Sequence, residues 1–212
     1  MTTGSRTRKR EGQARRARAT RQRIVTAATT LFVRDGYLQT TMADIAREAG
    51  VAVQTLYLAF GSKVAVLAAA VDITIAGDDE PSPVIEREWY RRLQDEPDGR
   101  RALGVFVDAA TEIIGRFYPL YAAVRAAATD PEPAELLHSN KRMRFTTFEV
   151  VVTELTTKAG FADGLGVRRA TEMLYALLSE ETYGLLVAEH GWTVPDWSAW
   201  VHRHVGAEFY PG

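Results

Sequence analysis

Gln54, Thr55, Leu58 and Ala59 fall on one side of the stretch VQTLYLAF, and none of them is charged. A solvated helix face is ordinarily Lys and Glu, whereas this one offers an amide, a hydroxyl and two small or apolar side chains. In a major groove an amide can bond adenine at two atoms, and apolar groups can touch the thymine methyl, so the face suits base edges. Two helices of an ordinary bundle fit the same composition, which leaves both readings open.

The elements that must position this face lie between Thr40 and Lys63. Met42, Ile45, Ala46 and Ala49 recur at helical spacing, so ADIAREA predicts a short amphipathic helix, stopped by Gly50. Thr41 stands at the N-cap position three residues before Asp44, where a hydroxyl satisfies a free backbone N–H and the carboxylate faces the positive end of the dipole. After a tight turn, Leu56 and Phe60 point the same way and anchor a second helix, Val53 to Phe60. Upstream, Ile24, Ala27, Ala28, Leu31 and Phe32 give the buried face of a helix from Thr20 to Asp35, ended by Gly36, with Tyr37 packing nearby. Downstream, Gly61-Ser62-Lys63 lacks the spacing of a phosphate loop; Ser62 reads as the N-cap of a fourth helix carrying Val64, Leu67, Ala68, Val71 and Ile75.

The order of these residues resembles the tetracycline-repressor (TetR) family of bacterial transcription regulators. The resemblance runs from about Thr20 to Leu67, through TRQRIVTAATTLFVRDGYLQTT, the REAGV turn and the Thr55-Leu56-Tyr57, Phe60 and Ser62-Lys63 pattern. It implies an all-α chain: a helix-turn-helix DNA-binding domain joined by a long helix to a helical ligand-binding and dimerisation domain. It also implies that Lys63 and the start of its helix lie against a DNA phosphate, as do Thr41 and Tyr57 through their hydroxyls. The candidate DNA-contacting set is Thr40, Thr41, Val53, Gln54, Thr55, Tyr57, Leu58 and Lys63. Members usually carry Ser where Ala52 stands and often a small residue at Gln54, so the cap of the recognition helix is weakened and its readout altered.

Charge follows the same division. The net charge of -1 resolves into +7 over residues 1–76 and -8 over residues 77–212, so only the first part suits a polyanion. The domains expected are a disordered basic arm over 1–19, a DNA-binding domain over 20–76 and a ligand-binding and dimerisation domain over 77–212. Arg6, Arg8, Lys9, Arg10, Arg15, Arg16 and Arg18 repel one another in the arm, which either follows phosphates or a minor groove on DNA or is a solvated tail. The 212 residues suffice for a sizeable core, and the absence of cysteine excludes disulfides and thiolate metal sites. Neither a membrane-length apolar run nor a signal peptide is evident, which predicts a cytoplasmic location.

After a break at GDDEPSP, helical stripes continue without strand-like alternation. One helix is expected over 98–117, a second from Pro119 to Ala128, and a third, apolar on two sides and therefore central, from Pro131 to Lys158. The last pair runs from Val167 to Glu189 and from Pro195 to Phe209. By resemblance this pair builds a homodimer interface, through Leu174, Leu177, Leu178, Glu181, Leu185, Trp197, Trp200, Val201, His204 and Val205. Two-fold pairing would set two recognition helices about 34 Å apart on a palindromic operator. Glu181 and His204 interrupt the stripes and are expected to pair within or across that interface. The resemblance further implies an effector pocket for an unnamed small molecule, with Leu67, Val71, Trp89, Phe106, Ala110, Tyr121, Arg125 and Met143 as candidate lining.

An enzyme finds no support: there is no nucleophile elbow or dinucleotide fingerprint, and His202 and His204 diverge by about 200° on a helix, so no cofactor or metal is expected. A sequence-blind architectural DNA protein is the alternative. It predicts equal binding to all duplexes and no effector.

Overall fold

The structure, a computed structural model, describes residues 3–77 and 84–211, with side chains from residue 12 onward apart from that of residue 84. Within these residues there are helices and no strands. The GDDEPSP break lies, beyond Gly77, outside them. The chain divides into two compact units. The first extends to Ile73 and includes Ala122–Ala134; the second is Thr74–Tyr121 with Glu135 onward. Residues 122–134, grouped with the acidic domain from sequence, therefore cluster with the basic one.

In the first unit, α1 runs from Thr3 to Asp35, α2 from Met42 to Ala49, α3 from Val53 to Phe60, and α4 from Lys63 to Ala76, passing into the second unit at Thr74. The expected stripe of α1 is buried, from Ile24 to Phe32, as are Ile45, Ala46, Leu56, Leu67 and Val71. The arm expected to be disordered is instead a continuation of α1. Its Arg, Ala and Gln residues are good helix formers, and extending an existing helix requires no new nucleus, so repulsions of a few tenths of a kcal/mol do not prevent it. Met1 and Thr2 lie outside the described residues.

Further along, α5 spans Glu88–Asp95 after a 3-10 turn at Val84–Glu86, α6 Gly99–Ala126, α7 Pro131–Thr156, α8 Val167–Leu177, α9 Glu180–Tyr183 and α10 Val194–Phe209; apart from the parts of α6 and α7 within residues 122–134, these form the second unit. Its core joins Leu93, Phe106, Val107, Phe148, Val152, Leu155, Leu174, Trp197, Val201 and Phe209. Tyr210 closes it from below the last helix, donating its hydroxyl to the Leu155 carbonyl at 2.8 Å while Arg100 donates to the Tyr210 carbonyl.

Two expected helix boundaries move. Pro119 lies inside α6 rather than opening a new helix, at the expense of the bond its missing N–H would give the Gly115 carbonyl. Conversely, the single helix expected from Val167 to Glu189 breaks after Leu177. Ser179 adopts an extended backbone and caps α9 by accepting from Thr182 N at 3.1 Å, and Thr182 Oγ1 donates back to the Leu177 carbonyl at 2.7 Å. From Gly184 to Glu189 the chain continues as a π-helix, a widened turn. Gly184 leaves no space: a Cβ there would come within 2.6 Å of the Tyr118 hydroxyl and 2.9 Å of its ring.

Candidate nucleic-acid interface and ligand cavity

α2 is built as its sequence predicts. Thr41 Oγ1 accepts from Asp44 N at 3.1 Å, and the Asp44 carboxylate accepts from Thr41 N at 3.1 Å and from the Thr41 hydroxyl at 2.6 Å. Those bonds, together with one from Arg47 at 2.6 Å, hold the Asp44 carboxyl below its usual range. At the other end Gly50 sits in the left-handed region at φ 64°, and its N–H reaches the Ala46 and Arg47 carbonyls. A residue with a Cβ would be strained there, so the turn into α3 depends on this glycine.

α3 buries only Leu56 completely. Val53, Gln54, Thr55, Tyr57, Leu58 and Ala59 are exposed, Leu58 by 89%. A leucine that uncovered on a short helix forgoes the burial that normally explains its presence, roughly 1.5–3 kcal/mol. Ala52 makes no side-chain cap, as the substitution of a hydroxyl residue by alanine requires. Ser62 caps α4 through Ala65 N at 3.2 Å.

Two members of the expected DNA-contacting set face inward. Thr40 is 2% exposed and donates its hydroxyl to the Gly36 carbonyl at 2.8 Å, so its side chain is unavailable to a phosphate. Lys63 donates to the carbonyls of Tyr37 and Thr40 at 2.9 and 3.0 Å, with its ammonium 4.2 Å from the Tyr37 ring centroid. Burial pushes its pKa down, opposed in part by Asp130. The ammonium thus ties the loop before α2 to the start of α4, a role that sequence spacing does not reveal. Beside it, burial, with Glu132 and Asp130, raises the pKa of Tyr37.

The second unit contains a cavity of about 100 Å³ lined by Ile75, Trp89, Phe106, Ala110, Ile113, Ile114, Phe117, Asn140, Met143, Arg144, Thr147, Phe148 and Glu180. Trp89, Phe106, Ala110 and Met143 were expected there; the other four candidates are not brought to it. Leu67 and Val71 are buried in the first unit, Arg125 is exposed, and Tyr121 is buried with its hydroxyl on Glu181 Oε1 at 2.9 Å. Arg125 is a lone cation in the apolar stretch 120–128, whereas Arg144, one turn before Phe148, follows Lys141 and Arg142 and gives no such signal in the sequence. Arg144 is in ionic contact with Glu180, their side chains 12% and 5% exposed, and its guanidinium lies 4.4 Å from the Tyr175 ring centroid. Glu180 reaches the cavity because the chain breaks at Ser179, and nothing in the apolar periodicity announces that break.

The expected interface residues also separate. Leu174, Leu178, Trp197, Val201 and Val205 are completely buried in the core of their own chain, so their stripes are filled without a partner. Leu177, Leu185, Trp200 and His204 retain exposure. Within its own chain Glu181 pairs with Lys141 and Tyr121, not with His204, whose Nδ1 meets the Trp200 carbonyl at 2.7 Å. Burial opposes ionisation of Glu181, yet the bonds from Lys141 and Tyr121 outweigh it and leave its pKa lowered.

An α2 packed by its apolar face, a glycine turn and an exposed, uncharged α3 define a helix-turn-helix DNA-binding domain at the head of an all-α chain. Residues 24–70 match the family described as bacterial regulatory proteins, tetR family, and this N-terminal domain belongs to it. Over 79 residues the chain is 39% identical to an uncharacterised HTH-type transcriptional regulator, TtgW, of Pseudomonas putida; the alignment covers 36% of this chain and spans 59% of that protein's length. Among solved structures, the fatty acid degradation regulator FadR of Bacillus halodurans superposes with a TM-score of 0.72 at 19% identity, over 88% of this chain and 94% of that one. NalD of Pseudomonas aeruginosa, the secondary repressor of the MexAB-OprM multidrug efflux pump, gives 0.66 at 18%, over 91% and 97%. At such identities the likeness concerns the fold. No single helix among the described residues is long and apolar enough to cross a membrane.

Proposed function

We propose that this chain is a ligand-responsive, DNA-binding transcriptional regulator, not an enzyme: a homodimeric repressor that reads a palindromic operator through α3 and releases it when a small molecule fills the cavity. The observation that carries the reading is α3 itself, held by one buried leucine and presenting Gln54, Thr55 and an 89%-exposed Leu58 outward. Val53, Tyr57 and Thr41 flank that face as contacts to the backbone and bases, and Lys63 supports it by fixing the preceding loop. Leu177, Leu185, Trp200 and His204, with Trp192 beside Trp200, remain at the surface to meet a second copy. Effector control requires that the ligand favour the arrangement that binds DNA poorly, since equal affinity for both shifts nothing. α4 gives one covalent route, because it carries both Leu67 of the first unit's core and Ile75 of the cavity.

Selection of duplexes from a random pool, followed by competition with unselected DNA, tests the reading. Enrichment of an inverted repeat that resists the competitor is the expected result. Equal binding to every duplex would make the chain an architectural protein instead, and no binding at low ionic strength would end both readings.

A further inference from the structure

The chemistry of the cavity specifies more than its existence. Its wall is mostly hydrocarbon and aromatic, with Trp89 5.6 Å from Phe106 and Phe106 edge-on to Phe148 at 5.0 Å between centroids. The polar groups form a small set: Arg144 against Glu180, Asn140, Thr147 and the indole of Trp89. The charged pair compensates itself, and the neighbouring Lys141–Glu181 pair does the same. The cavity is therefore neutral before anything enters it.

Its hydrogen-bonding balance is uneven. Trp89 Nε1 is buried and has no acceptor, and Nε and Nη2 of Arg144 are buried without a hydrogen-bonded one, while Nη1 meets Glu180. An arginine brings five N–H groups, and the contact with Glu180, with a longer one of 3.9 Å from Nη2 to Glu181 Oε2, leaves several of them without an acceptor at hydrogen-bond distance. Buried donors without acceptors are costly, and a ligand that supplies an acceptor recovers that cost on binding. Glu180 Oε2 already has Arg144 Nη1 as its partner, so what is left over is donors rather than acceptors.

Net charge then selects among acceptors. A carboxylate ligand would leave one uncompensated negative charge beside Glu180, and an amine would compete with Arg144 for Glu180 and leave a positive one. Both place an unpaired charge in an apolar wall, which the interior penalises heavily. A neutral carbonyl-type oxygen meets the surplus donors without that penalty. As to size, an engineered apolar cavity of about 150 Å³ takes benzene, and the present volume of about 100 Å³ is of that order. Met143, 64% exposed, is a flexible member of the wall that can move to admit a ring.

We propose that the effector is a neutral, mostly apolar compound of aromatic-ring size carrying a ketone-, ester- or lactone-type oxygen that accepts from the Trp89 indole and the Arg144 guanidinium. This rests on the reading of the cavity as the effector site. The compounds that test it are near-isosteric: acetophenone, ethylbenzene, benzoate and benzylamine, titrated by calorimetry into the full-length protein without DNA. In parallel the indole N–H resonance of Trp89 is followed in ¹⁵N-tryptophan protein, assigned with Trp89→Phe.

The ketone is expected to bind about tenfold more tightly than ethylbenzene, with benzoate and benzylamine weaker than both, and to move the Trp89 indole resonance downfield. Replacing the pair together, Arg144→Met with Glu180→Met, avoids stranding either charge and should bring acetophenone down to the affinity of ethylbenzene. Benzoate or benzylamine binding as tightly as the ketone would overturn the proposal, as would equal affinity for ketone and hydrocarbon, or failure of all four to bind. Failure here leaves the operator measurement standing, because DNA is absent from this assay. Ketone binding that leaves operator affinity unchanged would remove the effector role and retain only the cavity chemistry.

Discussion

Leu58 and Gln54 carry no structural duty that accounts for them. Both lie on the exposed side of α3, so replacing either by alanine should change unfolding free energy by no more than about 0.5 kcal/mol. Gln54→Ala is expected to cost about 1–3 kcal/mol in binding to the selected operator while leaving affinity for random DNA unchanged, the pattern of a lost base contact. Anisotropy titrations against both duplexes check this. An equal loss on both would mean that Gln54 touches only the backbone. By contrast, Thr40 and Lys63 are committed to the carbonyls around Tyr37, so their replacement should act through stability first.

At the scale of elements, the helix-turn-helix was legible because its boundaries are written in adjacent residues. A hydroxyl three positions before a carboxylate makes the cap of α2, and Gly50 supplies a left-handed stop; both are local chemistry. Ala52 offers the converse. Ala52→Ser should supply the absent cap of α3 and raise stability by about 0.5–1 kcal/mol, measured by urea denaturation. Where the sequence misled, distance along the chain was the cause. The stripe of α8 and α10 is equally apolar whether it meets a second copy or its own core, and only the fold shows Leu174, Trp197 and Val201 already covered. Ser179 and Thr182 do hold a local signal, a capping pattern, but it lies inside an apolar run that continues on both sides of it. Arg144 reaches the cavity and Arg125 does not, a difference that periodicity cannot show, because it gives the face of a helix and not the identity of what lies opposite.

For the whole molecule, charge and the closing of the second unit lead to separate expectations. With +7 over residues 1–76 against -8 beyond, affinity for DNA should fall steeply with salt. Removing residues 1–19 should weaken binding and make that dependence shallower; an isotherm unchanged by the truncation would show the extension of α1 to be a bystander. The second expectation concerns alkali. Tyr210 is 3% exposed, and burial, with a smaller contribution from Asp98, pushes its pKa up from 10.0 to about 12. The folded state therefore holds a proton that the unfolded chain releases earlier. Stability from this group is complete below pH 10 and is lost as pH rises towards about 12, by an amount on the order of 2–3 kcal/mol. Tyr210→Phe should flatten that decline while lowering stability at neutral pH, where the Leu155 carbonyl loses its donor.

The tight approach of Tyr118 to Gly184 bears on how this protein can drift over generations. Any side chain at 184 collides with an aromatic ring of α6, from which α7, α8 and α9 separate it in sequence, and trimming the phenol oxygen alone does not help, since a ring carbon stands almost as near. A change at 184 should thus require a change at 118, though not the reverse. In a saturation library, survivors altered at the glycine would be recovered only alongside a smaller residue at 118.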